Sequence, residues 1–180
     1  VVRHADSRRD AAACAAIYAP YVADSTVSFE DEPPSADEFA RRIDQISTTH
    51  PWLVAVRDGV VAGFAYACPH RPRAAYRWAT EVTVYVDASR RRSGIGRQLY
   101  EALFSLLRQQ RLQTACAGIA LPNDASVGLH EALGFEPVGI YRRIGYKHGA
   151  WHDVGWWQLE LLPFASSPEE PLAPQALRTR

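Results

Sequence analysis

The chain has 180 residues, 47% hydrophobic and 22% charged, which suits one folded domain and excludes wholesale disorder. Its 20 basic and 20 acidic residues cancel, which argues against nucleic-acid binding through bulk charge; any cationic site must be a local cluster. Three scattered cysteines, Cys14, Cys68 and Cys116, make a poor disulfide framework and a poor zinc site, so each reads as a small buried side chain in a reducing cytoplasm.

Val1 to His4 reads as a first strand. The start turns polar at once and carries no signal-peptide core, and no apolar run reaches the roughly 18 to 20 residues that cross a bilayer. Asp6 or Ser7 is placed to cap a helix through Ala11–Tyr18, which Pro20 should disturb or restart. Thr26–Phe29 alternates and predicts a short extended piece, and Pro33-Pro34 breaks the chain. Ser35-Ala36-Asp37-Glu38 is a capping box that opens a helix with Phe39, Ile43 and Ile46 on one face. Trp52–Val56 and Val60–Ala67 predict a hairpin about Asp58-Gly59. A loop rich in Pro and Arg follows from Pro69 to Arg77. Glu81–Val86 is the clearest strand, and a helix with Ile95, Leu99, Leu103, Leu106 and Leu107 at helical spacing runs to about Gln110. Thr114–Ile119 predicts a strand, and Asn123–Leu133 a helix that Gly134 ends. Pro137–Tyr146 and Trp151–Leu162 read as closing strands, and residues 164–180 as a mobile tail. The order predicts an α/β domain: a single mixed sheet with helices on both faces.

Between the clearest strand and the longest helix lies Arg90-Arg91-Arg92-Ser93-Gly94-Ile95-Gly96-Arg97. Two glycines let the backbone approach a ligand, and the free amides and dipole of a helix start attract an anion, most naturally a phosphate. Four arginines add positive charge. A Walker loop is excluded for want of Gly-Lys-Ser/Thr, and a dinucleotide fingerprint because Arg97-Gln98-Leu99 follows Gly96.

Arg91, Gly94 and Gly96 match the acetyl-CoA motif Arg/Gln-x-x-Gly-x-Gly/Ala, and Asn123–Phe135 matches a second element, an Asn-x-x-Ala/Ser helix ending in Gly-Phe. On these two motifs the chain resembles the Gcn5-related N-acetyltransferase superfamily. Ser25–Phe29, Tyr76–Val86, Leu121–Gly134 and Gly145–Gly155 are similar to its phosphinothricin and methionine sulfoximine N-acetyltransferase subfamily. The resemblance implies the acyl-CoA N-acyltransferase fold over residues 1–163, acetyl-CoA as co-substrate with no metal, a small amino acid as acceptor, and a homodimer.

It also implies roles. Glu81 becomes the general base that deprotonates the acceptor amine. His130 stands where many members carry a Tyr that protonates the leaving thiolate, and its imidazole suits either direction of proton transfer. A backbone N–H among Val84, Tyr85 and Val86 would stabilise the oxyanion. Arg91, Arg92, Ser93, Gly94, Ile95, Gly96 and Arg97 would hold the cofactor, with Asn123 ordering its entry or capping its own helix. Arg71 and Arg73 would take an anionic group of the acceptor, and Phe29, Tyr76 and Tyr85 would wall its pocket. Arg77 departs from the acidic residue of a close relative. Trp151, His152, Trp156 and Trp157 read as packing and interface residues. The competing readings are an acetyltransferase for another amine or a protein N-terminus, and an acyl-CoA-binding module without catalysis.

Overall fold

A computed structural model describes residues 1–174 of the chain. Seven strands form one sheet: β1 (Val2–His4), β2 (Trp52–Arg57), β3 (Val60–Pro69), β4 (Ala79–Val86), β5 (Thr114–Leu121), β6 (Glu136–Lys147) and β7 (Ala150–Glu160). Their order is β1-β2-β3-β4-β5-β7-β6. The β4–β5 ladder is parallel, and the other ladders among the described residues are antiparallel. Four helices flank the sheet: α1 (Ser7–Ala23), α2 (Ala36–Ser47), α3 (Ile95–Gln109) and α4 (Asp124–Glu131). The mixed sheet read from the sequence, mostly antiparallel with helices on both faces, is the fold observed.

Two cores follow from strand alternation. Cys14, Ile17, Tyr18 and Val22 of α1 and Phe39 and Ile43 of α2 pack against Trp52, Val54 and Phe64 on one face. On the other, Ile95, Leu99, Tyr100, Leu103 and Leu107 of α3 pack against Leu53, Ala65, Val82 and Ala117. We call these the α1/α2 face and the α3 face. No helix among the described residues is long and apolar enough to cross a membrane.

Three local expectations need correction. Helix α1 runs through Pro20 without restarting, because Tyr18 and Val22 on either side are buried and outweigh the one missing N–H. Its cap is Asp6, whose carboxylate accepts from the amides of Arg8 and Arg9, each at 3.0 Å. Thr26–Phe29 is a bend, not a strand. Its polar groups are satisfied without a strand partner: Ser25 Oγ donates to Tyr21 O and Glu30 N donates to Ser28 Oγ nearby, and Ser28 O accepts from the distant Lys147 Nζ. The capping box is half made: Ser35 Oγ accepts from Glu38 N, while the Glu38 carboxylate turns to Arg41 and Arg42.

The stretch after Pro163, expected as a mobile tail, is tied down as far as Leu172. Glu170 pairs with Arg77, Trp78 Nε1 donates to Glu169 O, and Leu172 and Gln110 exchange two hydrogen bonds of 2.9 and 2.8 Å. Residues 175–180 lie outside the described residues.

Candidate active site

The site starts from a parting in the sheet. Strands β4 and β5 pair only over Ala79–Glu81 against Thr114–Cys116. Beyond Glu81 they separate, and a cavity of ≈ 90 Å³ opens between Val82–Tyr85 and Ala117–Ala120. It is lined from the α1/α2 face by Val27 and from the α3 face by Tyr100, Asn123, Ser126 and His130, so it passes through the sheet. A larger cavity, ≈ 230 Å³, lies away from the parting under Phe164, Trp78 and Tyr76. We place the site at the smaller one, where unpaired backbone and titratable side chains converge.

Alternation along β4 assigns its groups. Asp87 N bonds back to Ala62 O on β3, and Gln113 N bonds to Trp78 O toward β5. The odd-numbered peptides therefore face β3 and the even-numbered ones face the parting. Val84 turns its N–H into the cavity and Val86 faces the same side beyond the cavity lining, whereas the Tyr85 N–H belongs to the β3 ladder. The Tyr85 side chain points to the α1/α2 face, between Tyr18 at 4.8 Å, Tyr21 at 5.0 Å and Phe64 at 5.4 Å. Burial pushes its hydroxyl well above the ordinary range.

Helix α3 begins at the rim. Gly94 caps it in the left-handed region at φ 79°, and no side chain caps its first amides. Gly96 lets the helix approach closely: a Cβ there would stand 3.2 Å from Leu129 and 3.8 Å from Val86. Arg91, Arg92, Ser93 and Arg97 are exposed around this turn, with the Arg91 guanidinium 5.0 Å from the Tyr21 ring. The Ile95 side chain is buried, leaving only its backbone to a ligand. Open amides at a helix start, ringed by arginines, fit the phosphates of a coenzyme A. Asn123 caps α4 through Ser126 N at 3.1 Å, and it also lines the cavity.

His130 is buried and hydrogen-bonded at both ring nitrogens. Its Nδ1 lies 2.7 Å from Ser126 O, which can only accept, so Nδ1 carries the hydrogen. Nε2 is then the acceptor for the Tyr100 hydroxyl at 3.0 Å. Burial lowers the pKa of His130, so the ring is neutral at pH 7. In this state it can take a proton and has none to give at Nε2.

Glu81 sits at the closed end of the parting, on the α1/α2 face. Its Oε1 accepts from His70 Nδ1 at 3.0 Å and from Arg71 Nη1 at 3.1 Å. The register sets Cys68 on one side of it and Cys116 on the other. Glu81 and His130 therefore lie on opposite faces of the sheet, with no hydrogen bond between them. Tyr76 packs its ring on His70 at 5.6 Å. Phe29 lies over Gly145, where a side chain on that residue would collide with its ring. Arg73 is exposed and joins no ion pair among the described residues, and Arg77 is drawn off to Glu170.

Sequence reading missed three contributors. His70 reaches Glu81 only through the β3–β4 register, which the loop of residues 70–78 hides. Trp156, read as packing, lays its ring over Gly118 and stands 6.1 Å from His70 and 6.0 Å from Arg71. Tyr100 carried a signal: a hydroxyl on a buried helix stripe needs a partner.

The model of the family described as Acetyltransferase (GNAT) domain matches residues 4–156. The chain belongs to the GNAT acetyltransferase family. It is 45% identical over 164 residues to a phosphinothricin N-acetyltransferase of Streptomyces viridochromogenes, covering 91% of this chain and 90% of that one. It is 41% identical over 120 residues to an L-methionine sulfoximine/L-methionine sulfone acetyltransferase of Pseudomonas paraeruginosa, covering 66% of this chain and 70% of that one. The crystal structure of a GNAT phosphinothricin acetyltransferase from Sinorhizobium meliloti in complex with acetyl-CoA superposes with a TM-score of 0.91 at 33% identity, covering 97% of this chain and 95% of that one. As a GNAT acetyltransferase, the chain is an enzyme.

Proposed function

We propose that the protein transfers the acetyl group of acetyl-CoA to the α-amino group of phosphinothricin, methionine sulfoximine or a similar small amino acid. The observation that carries this reading is Glu81 at the closed end of the β4–β5 parting, with Arg71 bonded to it. A carboxylate there can take the proton of an acceptor ammonium, and a guanidinium beside it can hold the acceptor's anionic group. The relatives named for these two substrates support the substrate class.

Acetyl-CoA supplies the thioester. Gly94, Gly96 and the arginines around them would hold its phosphates, and Asn123 would order its entry through the parting. The Val84 and Val86 amides are the donors for the oxyanion of the tetrahedral intermediate. His130 enters neutral, takes at Nε2 the proton that the attacking nitrogen sheds in the tetrahedral intermediate, and returns it to the departing thiolate. Phe29, Tyr76, Arg73 and Trp156 wall the acceptor side. Transfer is direct, within a ternary complex: Cys68 and Cys116 flank Glu81 as thiols, because burial first and then the Glu81 charge raise both, Cys68 to about 11. The enzyme works in the cytoplasm as a homodimer, and the exposed Ile140, Tyr141, Tyr146 and Trp151 of the β6–β7 ribbon suit such an interface.

The test is thiol release from acetyl-CoA with phosphinothricin, methionine sulfoximine, methionine sulfone and methionine as acceptors. A kcat/KM larger by orders of magnitude for one of the first three than for methionine supports the substrate class. Equal rates with unrelated amines or a peptide N-terminus overturn it. The Glu81→Gln variant should bind acetyl-CoA normally and lose most turnover.

A further inference from the structure

The Glu81 carboxylate is held unevenly. Oε1 receives both His70 Nδ1 and Arg71 Nη1, and no hydrogen bond among the described residues reaches Oε2. Because a carboxylate only accepts, His70 carries its hydrogen on Nδ1. The two donors differ in how firmly they are fixed. The Arg71 side chain is 44% exposed, and its other hydrogen bond is to the neighbouring carbonyl of His70. His70 is 19% exposed and wedged edge-on between two rings, Tyr76 at 5.6 Å and 69° and Trp156 at 6.1 Å and 82°. An acceptor anion can draw Arg71 away, whereas His70 stays.

We propose that His70 is the positioning residue for Glu81, holding Oε1 so that Oε2 is the oxygen presented to the acceptor ammonium. The inference rests on the reading of Glu81 as the base. One proton moves, from the acceptor nitrogen to Oε2, and leaves the nitrogen lone pair free to attack the thioester. His70 keeps its own proton throughout. The ionisable groups that face the pair are Arg71 and Tyr76 from the loop, Cys68 from β3 and Cys116 from β5. From β7 the neighbour is Trp156, which does not titrate. The two thiols stay uncharged near neutral pH, so His70 and Arg71 are the donors that hold the carboxylate.

The experiment compares His70→Phe, His70→Asn, Glu81→Gln and the His70→Phe/Glu81→Gln double variant, with acetyl-CoA binding measured on each to establish that it folds. Phe keeps the wedge and removes the donor. It should lower kcat about tenfold or more, leave the KM for acetyl-CoA unchanged, and move the acid limb of the kcat profile to higher pH. Asn places an N–H near the position of Nδ1 and should recover most of the rate and the original limb. On the Glu81→Gln background, His70→Phe should change kcat by less than about twofold. Wild-type kcat and pH profile in His70→Phe overturn the proposal. So do equal losses in Phe and Asn with an unmoved limb, which mark a packing role only. A tenfold loss that persists on the Glu81→Gln background overturns it too, since His70 then acts independently. Wild-type turnover in Glu81→Gln alone removes the base assignment instead, and the proposal falls with it.

Discussion

Lys147 Nζ donates to the carbonyl of Ser28 at 2.7 Å, joining the end of β6 to the bend between α1 and α2. A second bond, 2.5 Å to Val22 O, fixes the last turn of α1. The ammonium is buried and these carbonyls are its hydrogen-bond partners among the described residues. The Lys147→Met variant keeps an apolar stem and leaves two carbonyls unpaired, a loss of about 2 kcal/mol. Chemical denaturation should show it, with faster amide exchange confined to residues 22–29. A Met variant as stable as the parent would mean that burying the ammonium costs what its bonds return.

Gly94 is the second test. At φ 79° an alanine is strained by about 1 kcal/mol or more, and relief would rotate the turn that presents the first amides of α3. Gly94→Ala should raise the KM for acetyl-CoA about tenfold and leave the acceptor KM within about twofold. Gly96→Ala should do less, because its Cβ would meet the flexible end of Leu129 at 3.2 Å. Steady-state kinetics with each substrate varied in turn distinguishes the two outcomes.

His50 sets a pH dependence. Burial lowers its pKa from 6.5 to about 4. Above pH 6.5 both folded and unfolded chains hold it neutral, and nothing is lost. As pH falls from 6.5 toward 4, the unfolded chain takes a proton that the folded one refuses, so stability drops by up to about 3 kcal/mol. His130, also lowered by burial, adds a loss of the same sign. His50→Asn should flatten the slope of unfolding free energy against pH in this window, measured by urea titration at a series of pH values.

The C-terminal segment offers a contrast between exposed and buried polar contacts. The Arg77–Glu170 pair is exposed and screened by solvent, and Glu170→Ala should melt at the same temperature as the parent. Ending the chain after Pro163 also strips Gln110, which is buried, of its Leu172 partner, and should cost about 1 to 2 kcal/mol. Thermal melts of the two variants read the difference.

The sequence carried the element order because its signals are local: the Asp58-Gly59 turn, the Ser35 cap, the α3 stripe, and Gly134 ending α4 at φ 92°. The glycine turn before α3 was legible for the same reason, since a strand, two glycines and a helix start lie within one short run. The acceptor side was not. Arg71 and Arg73 are equivalent in the sequence, yet only Arg71 meets Glu81, because the 3₁₀ turn Ala74–Tyr76 begins at Arg73 and carries that side chain outward. Thr26–Phe29 alternates like a strand but has no neighbour to pair with. Its backbone goes instead to Lys147, more than a hundred residues away, and no local pattern reports that.

The brief β4–β5 ladder makes this sheet two half-sheets joined by a seam of three residue pairs, Ala79–Glu81 with Thr114–Cys116. A cosubstrate seated in the parting, as proposed above, would act as mortar between the halves, bonding backbone that otherwise has no strand beside it. Its binding is then a term in the stability of the whole fold, worth about 2.7 kcal/mol at a hundredfold excess over Kd. In a cell rich in acetyl-CoA, the protein would be sturdier than the same chain purified without it, and scarcity of its cosubstrate would be felt as a shorter lifetime as well as a lower rate.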